Sequence, residues 1–130
     1  AFYEETVSAA KVAVMYSFAT ARHYRTIARE SDLYGKGESR QGAGNFTASF
    51  HGFCDALARS GIPYDVVTDL EFRLDGIDSY DCIFLPTCAC LSDKAIRKLK
   101  KFTEKGGTLI GSFDTAGFDD KGKKRTEPGL

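Results

Sequence analysis

The stretch DCIFLPTCACLSDKAIRKLKKFTEKGGTLIGSF, residues 81–113, contains the pattern that decides the fold. Its apolar run from Asp81 to Pro86 predicts a buried strand, which ends at a proline that cannot donate to a sheet ladder. Ser92 predicts a helix N-cap, and Asp93 lies in the first turn, where the helix dipole favours a carboxylate. The predicted buried side of this helix is Ala95, Ile96, Leu99 and Phe102. Gly106 ends the helix and TLIGSF forms the next strand, so the stretch predicts a β-α-β unit.

Two more buried strands and a helix precede this unit. The strands are KVAVMYS (Lys11 to Ser17) and PYDVVTD (Pro63 to Asp69), continuous runs typical of strands covered on both faces. Between them an apolar stripe at helical spacing predicts a helix with Asn45 as N-cap and Gly61 as its C-terminal stop. The stripe consists of Phe46, Phe50, Phe53, Cys54 and Leu57. Residues 18–44 show no lasting periodicity, although TARHYRTIARESDLYG has room for two or three helical turns.

The order of these elements predicts an α/β fold. Strands that alternate with helices form a parallel sheet with right-handed crossovers. We expect a flavodoxin-like open parallel sheet of order 2-1-3-4 with helices on both faces, in one domain that covers residues 1–130. Because the fourth strand precedes only a short polar tail, the sheet edge needs a partner. Since the sequence also begins without Met, we expect the domain to be excised from a longer multidomain chain.

Composition excludes several classes of partner. Eighteen basic and eighteen acidic residues cancel, so no net field attracts nucleic acid or an anionic membrane. No apolar run approaches the roughly 18–20 residues that span a bilayer, and no signal peptide is visible. The run KGKKR, residues 121–125, is predicted to be a solvated tail. The four cysteines are too few for a disulfide scaffold, which predicts free thiols in a reducing compartment, the cytoplasm.

In an open parallel sheet, ligands bind outside the carboxyl ends of the strands. The residues predicted at this rim are Ser17, Phe18, Asp69, Thr87, Cys88, Asp114 and Thr115. A small-molecule binding domain that uses this rim is one functional hypothesis. The first strand is followed by SFATAR, which offers hydroxyl groups but no glycine. A solvated loop is favoured there over a weak anion-binding loop.

Nucleophilic catalysis is not predicted. A nucleophile elbow requires G-x-S-x-G or G-x-C-x-G, and this pattern placed on Gly111 puts Phe113 at the nucleophile position and Thr115 at the second glycine. His23 and His51 are the only bases, and neither follows the fourth strand. We therefore assign no catalytic residue.

Cys88 and Cys90 have C-x-C spacing, whereas zinc sites use wider pairs and four ligands. No metal site and no cofactor are predicted. Both thiols lie near the helix start at Ser92, and a helix N-terminus lowers the pKa of a nearby thiol. A stand-alone amidotransferase-like thiol hydrolase is therefore a further alternative, although buried structural thiols are favoured.

The segments VAVMYS, GIPYDVVTD, YDCIFLP, ACLSDKAIRKLKKFTEKGGTLIGSF and FDDKGKKRTEPGL occur in the order seen in the β-galactosidase trimerisation-like domain. From Lys11 onward the chain resembles this module, which has a flavodoxin-like, class I glutamine amidotransferase-like fold. In glycoside hydrolase family 42 enzymes and related glycoside hydrolases the module follows the catalytic barrel.

The resemblance implies that the glycosidic carboxylates lie on the barrel and that a further β domain follows. It also implies two kinds of partner, the barrel of the same chain and other subunits of a homo-oligomer such as a trimer. The leading expectation is a non-catalytic assembly domain of a β-galactosidase-like glycoside hydrolase.

Overall fold

The fold is a four-stranded, all-parallel sheet of order β2-β1-β3-β4, flanked by helices. The computed structural model describes residues 7–24, 46–70 and 74–130. The strands are β1 (Val12–Tyr16), β2 (Tyr64–Thr68), β3 (Cys82–Leu85) and β4 (Thr108–Gly111). The helices are α1 (described over residues 18–24), α2 (Phe46–Arg59) and α3 (Asp93–Glu104), with a 3-10 helix at Leu74–Ser79. The flavodoxin-like order predicted from the sequence is confirmed.

The core is built around the two central strands, β1 and β3. Val12 of β1 pairs with Tyr64 on one side and with Cys82 on the other. Ala13 and Met15 alternate with Val14, and all three are fully buried. The predicted buried side of α3 is confirmed, since Ala95, Ile96, Leu99 and Phe102 all lie in the core.

Helix α2 covers only part of its face of the sheet. Phe53 packs on Phe84 of β3, with ring centroids 5.3 Å apart, and Phe50 packs on Tyr16 at 5.1 Å. Within the predicted stripe, Phe46 and Leu57 are buried, whereas the other three residues are half-buried. The sheet is wider than the helix that covers it. Val66 on β2 and Ile110 on β4 lie in the same cross-sheet row as Phe84, but on the two edge strands. They remain 52% and 41% exposed.

Two glycines end the helices as the sequence predicts. Gly61 has φ +66°, its N–H donates to Ala58 O, and the N–H of Ile62 donates to Leu57 O. Gly106 has φ +99° and ends α3 in the same way: its N–H donates to Thr103 O, and the N–H of Gly107 donates to Phe102 O. This geometry satisfies carbonyls at the helix end and favours glycine, which has no Cβ to strain a positive φ. The Ser92 N-cap is confirmed, since its Oγ accepts from Ala95 N–H at 3.1 Å. The predicted cap Asn45 lies outside the described residues.

The prediction of a solvated C-terminal tail is wrong at Arg125. Its side chain is only 19% exposed, donates to Leu91 O at 2.8 Å and pairs with Asp93 at 2.7 Å. Asp119 accepts the N–H groups of Lys121 and Lys123, both at 2.9 Å. The hydrogen bond from Lys123 is the main cause of the lowered pKa of the Asp119 carboxyl. The basic run therefore follows an ordered turn and returns to the start of α3.

Candidate functional site

The predicted rim lies at the carboxyl ends of the strands, but its residues are divided between the interior and the surface. Three of the seven predicted rim residues are buried: Ser17, Thr87 and Cys88. Phe18 is 49% exposed, Asp114 is exposed and Thr115 is half-buried. The seven residues therefore do not line one open pocket.

The carboxylate of Asp69, directly after β2, lies over the end of β1. It accepts hydrogen bonds from the backbone N–H groups of Phe18 at 3.0 Å and Ala19 at 3.2 Å. These groups belong to the first turn of α1, where N–H groups lack helical acceptors and an anion is favoured. The predicted loop at SFATAR is thus the start of a helix, and the protein's own carboxylate occupies its anion position.

Two buried hydroxyl groups extend this network. Ser17 Oγ lies 2.8 Å from Asp69 Oδ2 and 3.0 Å from Cys90 O, and its single hydrogen can go to only one of them. Thr20 Oγ1 lies 2.8 Å from Ser17 Oγ and accepts the N–H of Cys90 at 3.0 Å. Both hydroxyl-bearing residues are fully buried. They fasten the loop between β3 and α3 to the start of α1, and they present no donor to the surface.

The turn after β4 is as sharp as a nucleophile elbow, but its nucleophile position is occupied by Phe113. Phe113 and Asp114 have φ of +27° and +44°, a region that non-glycine residues rarely adopt. Phe113 occupies the nucleophile position and is 56% exposed. Ser112 Oγ accepts the N–H of Thr87 at 3.0 Å, and Asp114 Oδ2 accepts the Tyr24 hydroxyl at 2.7 Å. The polar groups of this turn hold the loops together.

The structure raises the pKa of the two rim thiols, whereas the sequence had suggested a lowered thiol pKa. Cys88 and Cys90 are fully buried. Burial, with a smaller contribution from Asp69, raises the pKa of Cys88 well above its ordinary value. Burial and the charges of nearby aspartates raise the pKa of Cys90 to about 11. The thiolate is the nucleophile, so neither thiol is activated near neutral pH.

We expect Cys90 in the folded chain to react with iodoacetamide at pH 8 at least about 100-fold more slowly than in urea, because a pKa of about 11 leaves about one thiolate per thousand thiols. Because the pKa of Cys90 is raised, the fraction of thiolate and therefore the rate of alkylation should increase as the pH rises towards 11. Peptide mass spectrometry measures the labelling at each cysteine, and half-buried Cys54 is the internal comparison. Equal labelling of Cys54 and Cys90 at pH 8 would contradict the assignment.

Two open surfaces separate the remaining rim residues. A cavity of about 300 Å³ contains Phe18, Arg22, His23, Asp69 and Asp120 in its lining. A groove of about 510 Å³ runs beside β4 and contains Asp114 and Thr115. Sequence reasoning missed Arg22 and His23 as lining residues because residues 18–44 show no helical period from which a face could be assigned.

The described residues contain no triad and no metal cluster. In these ranges no hydrogen bond joins His23 or His51 to a hydroxyl or thiol, and His51 is exposed beside Phe50. No three histidine, cysteine or acidic side chains in the same ranges are placed to hold a metal ion. None of the described helices combines the length and the apolar character needed to cross a membrane.

The sheet order defines an α/β domain of the open, flavodoxin-like kind, and hydrogen bonds within the described part of the chain hold its rim. The profile of the β-galactosidase trimerisation domain matches residues 10–129, and the chain belongs to this family. No curated protein matches the chain.

Several solved β-galactosidases contain a domain of this fold. That of Bifidobacterium adolescentis is 18% identical, with a TM-score of 0.61 over 88% of this chain and 45% of that chain. That of Bacillus circulans sp. alkalophilus is 22% identical, with a TM-score of 0.64 over 91% of this chain and 15% of that chain. A GH42 β-galactosidase from G. stearothermophilus is 19% identical, with a TM-score of 0.62 over 94% of this chain. At these identities the likeness shows the fold, and this chain spans less than half of each longer protein.

Proposed function

We propose that this domain is a non-catalytic assembly domain of a glycoside hydrolase, in which it joins a catalytic barrel to other subunits of a homo-oligomer. The observation that carries the proposal is the family match over residues 10–129, which leaves little of the chain outside a trimerisation domain. The three solved structures described above are β-galactosidases, which supports a β-galactosidase-like parent.

The chemistry of the rim also favours assembly over catalysis. Phe113 stands where an elbow would need its nucleophile, and Ser112 Oγ is engaged with Thr87. The high thiol pKa values of Cys88 and Cys90 argue against a thiol hydrolase. A small-molecule site at the rim has less support, because Asp69 already occupies the first-turn amides of α1. The four free cysteines fit a reducing compartment such as the cytoplasm.

Exposed apolar side chains supply surface for such contacts. Val66, Ile110 and Phe113 are each more than 40% exposed and lie on or beside the two edge strands. Apolar residues on the faces of a parallel sheet are normally covered, and an exposed edge strand is a ready template for pairing with another chain.

The test is deletion of this domain from the full-length protein that contains it. We expect the deleted protein to have the mass of a single subunit by light scattering and to lose most of its β-galactosidase activity, because the subunits no longer hold one another in place. The isolated 130-residue chain should show no β-galactosidase or amidase activity. An unchanged oligomer with unchanged activity after the deletion would overturn the proposal.

A further inference from the structure

Within the described residues, the outer edge of β4 presents backbone groups that no neighbouring strand pairs. Thr108 N–H donates to Asp81 O at 3.0 Å and Ser112 N–H donates to Leu85 O at 3.2 Å, so the even-numbered residues face β3. Leu109 and Gly111 therefore turn their N–H and C=O groups away from the sheet. In the described part of the chain β4 pairs with β3 alone.

The edge also lacks the usual protection against pairing. Edge strands are commonly guarded by charged residues, proline or a bulge, and Thr108–Gly111 contains none of these within its four residues. The groove of about 510 Å³ lies alongside, with Leu109, Phe113 and Leu130 among its lining residues. An added strand would find both hydrogen-bonding groups and an apolar surface there.

We propose that this edge binds the β4 edge of a second copy of the chain, as an antiparallel pair with its two-fold axis at Ile110. Only this register pairs the outward groups of Leu109 with those of Gly111, which gives four hydrogen bonds across the axis. Ile110, 41% exposed, then faces its own counterpart at the closest spacing of an antiparallel pair. The bulky Leu109 meets Gly111, which has no side chain to collide with it.

Charge supports a second copy as the occupant. The groove includes Lys100, on α3, and Asp114, beyond the end of β4, and neither forms an ion pair with the other described residues. A two-fold axis across β4 exchanges the two ends of the strand, which brings Lys100 of one copy towards Asp114 of the other. The formal net charge of zero removes the repulsion that keeps many proteins apart.

This contact rests on the proposed assembly function, but it can be tested separately because it is two-fold, whereas a trimer needs contacts around a three-fold axis. The pairing surface is short, so we expect weak association. Sedimentation equilibrium of the 130-residue chain between about 1 μM and 1 mM should show the average mass rising above 14.2 kDa towards that of a dimer.

Ile110→Lys should weaken this association at least about tenfold, because two like charges would oppose each other at the axis. Val66→Lys is the matched control, since Val66 is exposed in the same cross-sheet row on the opposite edge of the sheet. An equal mixture of Ile110→Lys and Ile110→Glu chains should associate again. Thermal melts of all three variants show that each still folds.

Hydrogen exchange provides a second measurement. The amides of Leu109 and Gly111 should become protected as concentration rises, while the protection of the Val66 amide on β2 should not change. A chain that stays at the single-chain mass up to 1 mM, with these two amides unprotected, overturns the β4 contact. So does loss of association in Val66→Lys but not in Ile110→Lys. Either result leaves the deletion test of the assembly function unaffected.

Discussion

Leu99→Ala is expected to lower the free energy of unfolding by about 3–5 kcal/mol. Leu99 is fully buried on α3, among core residues that include Met15, Ile83 and Phe102. Truncation removes buried methyl groups and leaves a cavity that a packed core fills only in part, so both terms destabilise. Because a domain of this size has only about 5–15 kcal/mol of net stability, the variant should lose a large share of it.

Urea denaturation followed by circular dichroism measures this change. Lys100→Ala is the control, since this neighbouring residue of the same helix is exposed and its loss should change stability by less than about 0.5 kcal/mol. Phe50→Ala should cost less than Leu99→Ala, because Phe50 is only half-buried between Tyr16 and Phe46. A Leu99→Ala protein as stable as Lys100→Ala would show that α3 does not pack on the sheet as described.

The elements that local sequence determines were predicted well. All four strands lie within the predicted runs. For the central strands β1 and β3 the reason is that a strand covered on both faces needs a continuous apolar stretch. Helix α3 was predicted with its cap, its buried side and its glycine stop, since each depends on residues within a few positions of the helix.

What the sequence could not show depends on contacts between distant residues. The helix that starts at Phe18 has one local start signal, Ser17, whose Oγ accepts the N–H of Thr20 at 3.1 Å. Its first two N–H groups donate to Asp69, 51 positions from Phe18, and no local pattern predicts that contact. Arg125 belongs to a run of exposed basic residues, and only the fold brings Leu91 and Asp93 within its reach. In the same way the helical period of α2 gives its apolar face but not the width of the sheet that covers it, and three of the five stripe residues are only half-buried.

In the candidate rim, too, local sequence predicts some features and contacts between distant residues determine the others. Its residues do follow the strands, as the parallel order requires, and this places Ser17, Thr87 and Asp114 near the carboxyl end of the sheet. Whether they are open to a ligand depends on the loop between β3 and α3, whose backbone bonds to Thr20 and closes over Ser17. The conformation of that loop is a tertiary property that the spacing of strands does not encode.

Asp69→Ala is expected to destabilise the chain by about 2–3 kcal/mol. The substitution leaves the N–H groups of Phe18 and Ala19 without their acceptor and removes one of the two acceptors within reach of Ser17 Oγ. Hydrogen bonds to a charged group are each stronger than neutral ones, and loss of a helix cap alone costs about 0.5–2 kcal/mol. Asp69 is half-buried, so water replaces part of the loss and keeps the estimate below the sum of three bonds.

Asp120→Ala is the matched control, because Asp120 lines the same cavity as Asp69 but is exposed and forms no hydrogen bond with the other described side chains. Asp69→Asn should fall between the two, since the amide keeps one acceptor oxygen in the same shape but carries no charge for the first turn of α1. Thermal unfolding should place the three variants in the order Asp120→Ala, Asp69→Asn, Asp69→Ala, with the last melting about 10 °C below the unmodified chain. If Asp69→Ala melts with Asp120→Ala, the carboxylate does not hold the rim closed. The amides of α1 would then be free for a ligand, which would restore the small-molecule alternative to the assembly function.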